Sequence, residues 1–444
     1  MNGCLYDRFK SLYTKTATKP SLVIVPARFK SGTLYSQIPV PVAPSTSSVG
    51  DFTVTRNTEA RRFDSAGLVA SVASGIPRLD YYTSGGVTGC PALLVEPAGT
   101  NICLQSENFS TTWVAQNSAT VNTNTAISPD GTQNADTINL AAISDSRVRQ
   151  LITVANSTTY TISCFYKNIA LTAGQTFRMR YNNSLSAPNN FIAAAVIDLA
   201  AGTATYSLAG TSGTGFSGTA TGRIENYGNG WYRVSVSFTV GTAGAATGIF
   251  EAASVDTVPA VRSFYAWGAQ VETDSVATSY IPTTTGTGSR SADVISVSGA
   301  VSGSIGQTEG VLYIECESND GLDDVFNINR SAANAITVYK NANNSYLGRI
   351  YHSSATITFQ SGNNVSGMIK IAIAYKSGDS TMYLNGSRVG TLNTTAITFG
   401  AALNSLGVDK SSAFFSGIKP SRIRAVALYN TRLTDAELAT LTTP

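Results

Sequence analysis

The chain has 444 residues and a net charge of +3, and only 13% of its residues are charged, against roughly 25% in an average soluble domain. Its lysines and arginines are scattered and form no run that would track phosphates, so no nucleic-acid partner is expected. Glycine, serine, threonine and asparagine are abundant, and aromatic residues make up 9%. This composition is typical of β-sandwiches, in which threonine and aromatic side chains pack on pleated surfaces and glycine and asparagine form the turns.

The first fifty residues are predicted to be an extended arm. In IPVPVAPSTSSVG, closely spaced prolines exclude a helix and remove donors from any strand ladder. The apolar runs SLVIVPARF and TLYSQIPVPV have no period that would build a core, so another surface must cover them. Neither run is long enough for a signal peptide's apolar region or a membrane span, so membrane insertion is not expected. Residues 51–100 are predicted to be a connector of short strands that lie on a neighbour.

Residues 101–283 repeat a strand pattern that predicts a single antiparallel sandwich or jelly roll. The stretch TYTISCFYK, for example, alternates Tyr160, Ile162 and Cys164 with polar residues. Residues 284–309 are polar and rich in glycine and serine, which favours a linker between independently folding domains.

Residues 310–444 form a second series of strands. The stretch YLNGSRVG carries Asn385 and Gly386 between strand-like flanks, which is a strong hairpin signal. The closing TDAELATL predicts a helix with Thr434 as its N-cap and Glu437 completing a capping box. The predicted fold class is therefore all-β, with two antiparallel β-sandwich domains after an extended N-terminal arm.

Two stretches that frame the middle region resemble a module of structural proteins from tailed bacteriophages. The first is CPALLVEPAGTN, in which the matching residues are Leu93, Leu94, Glu96, Pro97, Thr100 and Asn101. The second is WGAQVE followed by TSYIPT, at residues 267–272 and 278–283. With the upstream stretches FKSGTLYSQIP, DFTVTR and IPRLDY, the resemblance covers roughly residues 28–290. It implies a carbohydrate-binding-like jelly roll.

The C-terminal region is similar to concanavalin A-like and laminin-G-like domains, through YLNGSRVG and the ending RIRAVALYNTRLTDAELATL. Together the two resemblances imply a virion protein that is assembled in the host cytoplasm and contacts other virion proteins through its arm. They also imply a homo-oligomer, most simply a trimer. Head fibre, capsid decoration, tail fibre and baseplate positions all remain open.

Two patches rich in tyrosine, asparagine and arginine are the candidate glycan-binding sites. Such groups offer stacking and hydrogen bonds without a buried charge. The first patch consists of Arg178, Arg180, Tyr181 and Asn183, and the second of Tyr339, Asn343, Tyr346 and Arg349. The same residues are equally suited to contact a neighbouring subunit, and the sequence leaves that alternative open.

Trp267 and Tyr265 share one face of a predicted strand. They form either a stacking platform for a sugar or part of the core between the two sheets, and the surrounding apolar run favours the core. No cofactor is expected, although Glu272 and Asp274 are candidate ligands of a structural calcium. A second acidic group, Asn319, Asp320, Asp323 and Asp324, is interpreted as an ordinary polar turn.

Catalysis is not expected. The single histidine, His352, has no serine or acidic partner in a triad order, and glycosidase, phosphate-loop and dinucleotide motifs are missing. The five cysteines lack zinc-site spacing, and they are predicted to be buried free thiols of a protein that folds in a reducing cytoplasm: Cys4, Cys90, Cys103, Cys164 and Cys316. The leading hypothesis is a phage virion structural protein that displays lectin-like sandwiches. The alternative is a receptor-recognition protein that binds glycans of the host surface.

Overall fold

The computed structural model describes residues 3–26, 29–30, 33–34, 51–83, 86–182, 191–208, 216–240, 247–254, 261–298, 302–318, 323–329, 334–353, 355–410 and 419–444. These residues are nearly all in antiparallel strands, which confirms the predicted all-β class. Neither α-helix within these ranges is long and apolar enough to cross a membrane.

The elements before the middle region are α1 (Gly3–Thr14), β1 (Leu22–Ile24), β2 (Phe29–Lys30), β3 (Thr33–Leu34), β4 (Phe52–Thr55), β5 (Ala60–Phe63), β6 (Val69–Val72), β7 (Arg78–Thr83) and β8 (Gly86–Val95). The middle region contains β9 (Gly99–Asn101), β10 (Val114–Gln116), β11 (Thr120–Ala126), β12 (Ala135–Leu140), β13 (Arg147–Thr153), β14 (Thr159–Asn168), β15 (Phe177–Asn182), β16 (Phe191–Asp198), β17 (Thr203–Leu208), β18 (Phe216–Gly228), β19 (Trp231–Val240), β20 (Thr247–Ser254) and β21 (Arg262–Glu272). The last part contains β22 (Gly288–Arg290), β23 (Val294–Ser298), a 3₁₀ turn (Ser302–Ser304), β24 (Glu309–Ser318), β25 (Asp323–Ile328), β26 (Ala335–Lys340), β27 (Tyr346–His352), β28 (Ala355–Gln360), β29 (Ile369–Lys376), β30 (Ser380–Leu384), β31 (Ser387–Asn393), β32 (Ser405–Asp409), β33 (Ser421–Tyr429) and α2 (Asp435–Thr442).

The middle strands form the jelly roll, a sandwich of two six-stranded sheets. One sheet has the order β10-β13-β20-β15-β16-β17 and the other β11-β12-β21-β14-β19-β18. Tyr160, Ile162 and Cys164 of β14 point between the sheets into the core, as their alternation predicts. Trp113 closes this core against Phe250, with ring centroids 5.5 Å apart.

The second domain, which we call the C-terminal sandwich, also has two antiparallel sheets. One has the order β31-β30-β29-β24-β33-β8-β7, with β1 also paired to β33. The other has the order β2-β3-β4-β23-β32-β25-β26-β27-β28. The outer face of the first sheet is covered by both helices, through Leu12 of α1 and Leu438 and Leu441 of α2.

The jelly roll is inserted into the C-terminal sandwich. In chain order, strands β1–β4 and β7–β8 of the sandwich come first, the jelly roll follows, and the remaining strands of the sandwich begin at β23. At the point of insertion β9 pairs with β22, so the two ends of the jelly roll lie side by side. The two domains are therefore nested rather than consecutive in the chain.

The prediction of an extended arm is wrong for the described residues before position 35. Residues 3–14 are helical, and β1 pairs with β33 with Val23 opposite Ala427. The apolar residues of this segment are covered by the chain's own C-terminal sandwich, because Leu12 and Val23 lie in its buried cluster. Residues 35–50 lie outside the described part of the chain.

The predicted linker at residues 284–309 contains two paired strands, which is a second correction. Strand β22 pairs with β9, and β23 lies between β4 and β32. The reason is visible in ADVISVSG, where Ile295 and Val297 alternate with polar residues and turn inward. Glycine and serine in this stretch accompany short strands here, not a flexible spacer.

The hairpin and helix signals near the C-terminus are confirmed. Asn385 and Gly386 join β30 to β31 with φ of 48° and 85°, as a two-residue hairpin turn of this type requires. Thr434 and Glu437 form the predicted capping box of α2. The prediction for the cysteines is wrong for Cys90, which is disulfide-bonded. Cys103, Cys164 and Cys316 are free and buried, as expected.

Candidate functional site

The two domains meet at a buried group of charged side chains, which we call the junction cluster: Arg56, Arg78, Glu96, Arg290 and Asp293. Arg78 lies 2.6 Å from a carboxylate oxygen of Glu96 and also pairs with Asp293. Arg290 lies 3.2 Å from Glu96, and Arg56 lies 3.1 Å from Asp293. None of these side chains is more than 3% exposed. The cluster therefore fixes the insertion point through ion pairs that exclude water.

The two stretches that carry the phage resemblance converge on this insertion point. The carboxylate of Glu96 accepts hydrogen bonds from the backbone N–H and the hydroxyl of Ser279, at 2.8 and 2.5 Å. The side-chain amide of Asn101 donates to the carbonyls of Ala269 and Ile281, at 3.1 and 2.9 Å. The shared motif residues thus hold the entry and the exit of the jelly roll together.

Trp267 is buried at the interface between the domains. Its ring centroid lies 5.4 Å from that of Phe165 and 4.4 Å from that of Tyr280, and the residue is 1% exposed. It is therefore a core residue as favoured, but the predicted place between the two sheets is wrong, since it packs on the outer face of its sheet. A bulge in the β14–β21 pairing and the left-handed φ of +65° at Gly268 shift the alternation there.

A cleft of about 390 Å³ lies beside this interface. One wall comes from β18, β19 and residues 275–280 of the jelly roll, and the other from the β5–β6 hairpin, β7, β33 and the turn at 342–344. The aromatic rings of Phe63 and Tyr227, two residues of the lining, stack with their centroids 4.3 Å apart. Because both domains supply its lining, the cleft exists only when the jelly roll is docked on the sandwich.

Strand β18 supplies a polar face to this cleft. Its alternation places Thr221, Arg223, Glu225 and Tyr227 on the same side. The two carboxylate oxygens of Glu225 lie 3.4 Å from the Tyr82 hydroxyl and 3.5 Å from the Tyr227 hydroxyl. Burial, with the charge of Glu225, raises the pKa of both tyrosines above the usual range. Both hydroxyls therefore stay protonated and donate toward Glu225.

The sandwich wall of the cleft is held by an ion pair between Arg422 and Asp80. The nitrogen Nε of Arg422 lies 2.9 Å from Oδ2 of Asp80, and its guanidinium lies over the ring of Tyr82 at 5.1 Å. The other carboxylate oxygen of Asp80 accepts a hydrogen bond of 2.7 Å from the backbone N–H of Phe63. Burial raises the pKa of Asp80, and the positive charge of Arg422 opposes that rise.

The jelly-roll wall of the cleft is also held in place by buried contacts. Arg233 donates to the carbonyl of Thr278 at 2.6 Å and to the hydroxyl of Ser163 at 3.0 Å, and it stacks on Phe165. Beside it on β19, Ser235 and Ser237 line the cleft with hydroxyl groups. The walls are thus preorganised, with polar groups held in place by buried partners.

For two residues of the first predicted glycan-binding patch, the prediction is wrong. Tyr181 points into the core of the jelly roll, and Arg180 is fully buried. The guanidinium of Arg180 pairs with Glu251 and lies 2.5 Å from Asp145. Strand β15 alternates between the core and a face closed by these ion pairs, so neither side chain is open to a glycan. Arg178 is partly buried, and Asn183 lies outside the described residues.

The residues of the second predicted patch also do not form one surface. Tyr346 is fully buried between the sheets, and Tyr339 is 3% exposed on the opposite face of its sheet. Arg349 stacks on Tyr339 at 4.7 Å and donates to the hydroxyl of Tyr351 at 3.2 Å. Asn343 is exposed in the β26–β27 turn, next to residues that line the cleft. The structure brings Tyr339 and Arg349 together, and a glycan contact at Arg349 or Asn343 stays a prediction.

The acidic candidates for calcium do not share one site. The carboxylate of Glu272 accepts hydrogen bonds from Thr278 and Gln270, and Asp274 pairs with Lys419 across the domain interface.

The other acidic group gives no cation site within the described chain. Asp323 pairs with Lys410 in the interior. Asn319 and Asp320 lie outside the described residues, as does the side chain of Asp324. Among the described residues, no three acidic, histidine or cysteine side chains are placed to hold a metal ion together.

Sequence reasoning missed the cleft and its lining residues Arg62, Arg223, Glu225 and Arg422. One signal was present: TGRIENYG alternates polar residues with Gly222 and Ile224 over a full strand, which indicates a polar face. The sequence does not show which residues lie opposite this face, because they are more than a hundred positions away in either direction.

No protein-family model matches the chain, and no curated protein matches it. Among solved structures it is similar to the CBM40 carbohydrate-binding module of the Ruminococcus gnavus IT-sialidase, with 13% identity over 31% of this chain and 84% of that one, at a TM-score of 0.27. It is also similar to the Trypanosoma rangeli sialidase, with 11% identity over 33% of this chain and a TM-score of 0.27. The match spans only 25% of that sialidase.

A third similar structure is the receptor-binding domain of a botulinum neurotoxin C/D mosaic serotype, with 7% identity over 33% of this chain and 39% of that chain, at a TM-score of 0.28. Likenesses at this level describe the neighbours, among which carbohydrate-binding β-sandwiches recur. They carry no conclusion about the function of this chain.

Proposed function

We propose that the protein is a carbohydrate-binding protein whose ligand lies in the cleft between the jelly roll and the C-terminal sandwich. The observation that carries the proposal is the cleft itself. It combines a volume of about 390 Å³ with a lining of aromatic residues and of arginine, glutamate, serine and threonine. Ligand sites are typically concave, partly apolar and furnished with a few fixed polar groups.

The arrangement suits a sugar because a sugar has both hydroxyl groups and apolar C–H faces. Arg223 and Glu225 offer charge-assisted hydrogen bonds to hydroxyls. Phe63 and Tyr227 contribute aromatic groups to the lining. Because Tyr82 and Arg422 hold this lining from behind, little side-chain freedom is lost on binding.

We propose binding without catalysis. Three carboxylates of the described chain line the cleft. Asp80 is held by Arg422 and a backbone N–H, and Glu96 belongs to the junction cluster. The third, Glu225, lies within 3.5 Å of the hydroxyls of Tyr82 and Tyr227. A hydrolase of the usual kind needs two carboxylates across the scissile bond.

The test is glycan binding by the full-length chain, followed by calorimetry with the strongest ligand found. Arg223→Ala is expected to weaken binding by roughly tenfold or more, because a charge-assisted hydrogen bond is lost. Arg178→Ala, a matched arginine outside the cleft, is expected to leave the affinity unchanged. If Arg178→Ala abolished binding and Arg223→Ala did not, the cleft would be the wrong site and the first predicted patch the right one.

We further propose that this binder is displayed on a phage particle, as the resemblance implies. The supporting observation is that Glu96, Asn101 and Ser279, all residues of the resemblance, act together at the insertion point. In this setting the protein is a homo-oligomer, most simply a trimer, that contacts other virion proteins. Light scattering of the purified protein tests the oligomer, and immunogold labelling of particles tests the location. A stable monomer, or unlabelled particles, would contradict these two parts respectively.

A further inference from the structure

We propose that Lys410 and Asp323, in the interior of the C-terminal sandwich, become joined by a covalent amide bond. The two side chains pair directly, and neither has any exposed surface. The bond is a modification of the chain itself, so it is independent of any ligand in the cleft. It fastens β25, which begins at Asp323, to the segment that follows β32.

This pair differs in its chemistry from the other buried ion pairs. Those of the junction cluster and of β15 use arginine, whose guanidinium stays protonated and does not attack a carboxyl carbon. A lysine amine that has given up its proton is a nucleophile. Two further lysine–carboxylate pairs of the described chain, Lys376 with Glu309 and Lys419 with Asp274, retain exposed surface. Water reaches those two pairs and favours the separate amine and acid.

The lysine is held in one arrangement at the carboxyl group. The backbone N–H of Lys410 donates to the carbonyl of Asp293 at 3.0 Å, and its side-chain nitrogen donates to the carbonyl of Lys419 at 3.0 Å. Asp323 is fixed in turn by the β25–β26 ladder, where it lies opposite Lys340. Holding two reacting groups together in this way raises the rate of their reaction by many orders of magnitude.

The charged pair is also incompletely satisfied. The oxygen Oδ2 of Asp323 is buried and has no hydrogen-bond partner within the described part of the chain. A buried charged oxygen without a partner keeps an uncompensated desolvation penalty, and lysine itself is rarely buried. An amide bond removes both charges and one of the two carboxylate oxygens. The interior of the sandwich therefore favours the condensed product over the ion pair.

The reaction needs no external reagent. A proton passes from the Lys410 ammonium to the Asp323 carboxylate, and the neutral amine then attacks the carboxyl carbon Cγ. A C–N bond forms and a C–O bond breaks. The oxygen leaves with two hydrogens of the former ammonium as one water molecule, so the two opposite charges become one neutral amide without oxidation or reduction.

Intact mass spectrometry of the full-length chain tests the proposal, after reduction of the disulfide that involves Cys90. The wild type is expected to be lighter than its sequence by the mass of one water. A tryptic digest should contain a branched peptide that joins the segments of Asp323 and Lys410, with no cleavage after Lys410. Lys410→Met should restore the sequence mass. The control Lys376→Met, at a lysine whose ion pair is exposed, should keep the loss of water.

A wild type at its full sequence mass overturns the inference, whether or not the variants fold. A loss of water that maps to an unbranched peptide, as a cyclised Asp-Gly step would give, also overturns it. Lys340→Met is the second control, because Lys340 lies opposite Asp323. If Lys340→Met abolished the loss of water and Lys410→Met did not, the assignment to Lys410 would be wrong. Each of these failures leaves the carbohydrate-binding proposal standing.

Discussion

The jelly roll and the C-terminal sandwich are both pairs of antiparallel sheets, yet the chain builds them in different ways. All strands of the jelly-roll sheets lie within residues 114–272. The described strands of the sandwich come from both sides of this insert, six from before it and eleven from after it. One domain is continuous in sequence, and the other depends on pairing between distant segments.

This difference has consequences for stability and folding. A contiguous domain can form its core as soon as its own residues are available. The C-terminal sandwich cannot complete its first sheet until its last strand is present, because β33 lies between β8 and β24 in that sheet. Pairing over such separations carries a large loop-closure cost and is slow. The docked jelly roll is itself the loop that the sandwich has to close.

The largest expected effect concerns isolated fragments. Residues 101–290 should fold alone, whereas residues 310–444 should not. The second fragment lacks β1, β4, β8 and β23 and would expose the apolar faces those strands cover, among them the contacts of Phe52, Val54 and Leu93. Circular dichroism and thermal melting of the two fragments measure this.

A matched fragment sharpens that test. A chain that joins residues 1–101 directly to 288–444 contains every described strand of the sandwich, and it should fold where 310–444 does not. Cooperative melting of 310–444 by itself would contradict the nested arrangement and restore the prediction of two consecutive, independent domains.

The next largest effect is expected at the junction cluster. Arg78→Met leaves the carboxylates of Glu96 and Asp293 buried with fewer partners, and it should lower the free energy of unfolding by about 3–5 kcal/mol. Urea denaturation gives the value. Arg388→Met removes the exposed pair with Asp435 and should cost at most about 1 kcal/mol. Equal costs for the two variants would show that the cluster does not hold the domains together.

A similar loss of free energy of unfolding is expected when Trp267, at the interface between the domains, is replaced. Replacement by alanine removes a ring that packs on Phe165 and Tyr280, and should destabilise the protein by about 3–5 kcal/mol. Val261→Ala, at a residue that is 66% exposed, serves as the control and should be nearly neutral. Unchanged melting of Trp267→Ala with loss of sugar binding would make the ring a stacking platform after all.

The smallest expected effect is a pH dependence at Glu96. Burial alone would raise its pKa, but the charges of Arg290 and Arg78 and the hydrogen bond from Ser279 lower the pKa well below the usual range. Its stabilising contribution is therefore complete above the unfolded pKa of about 4.3 and is lost as pH falls toward the folded pKa.

The measurement compares the wild type with Glu96→Gln at neutral pH and near pH 3. The difference in their free energies of unfolding should shrink toward acid. A difference that is constant or grows at low pH would contradict the assigned direction of the shift.

Local patterns were enough to predict many of the strands, but they missed β22 and β23 and did not give the partner of any strand. Alternation along β14, the Asn385-Gly386 turn and the capping box at Thr434 are properties of a few consecutive residues. The placement of β1 beside β33 depends on residues four hundred positions apart. Neither hydrophobic period nor turn chemistry contains that information.

The candidate site was harder to predict for the same reason. Tyr181 and Tyr346 are polar aromatics in strands, and the sequence does not show whether such a residue faces the core. The cleft joins Arg62, Arg223 and Arg422, which belong to three separate segments of the chain. A site that forms between two nested domains appears in sequence only as unexplained polar positions.

Because β9 pairs with β22, the two ends of the jelly roll leave the C-terminal sandwich next to each other. Asn101 is paired with Gly288, and paired residues of neighbouring strands lie only about 5 Å apart. A domain whose ends lie equally close together meets the spacing that this insertion point requires, but it would also have to replace the hydrogen bond of Arg78 to Ser279 and the packing of Phe63 and Tyr82 against the jelly roll. The closeness of the two chain ends thus satisfies the covalent requirement for an exchange of the inserted domain, and the buried interface sets what a replacement has to match.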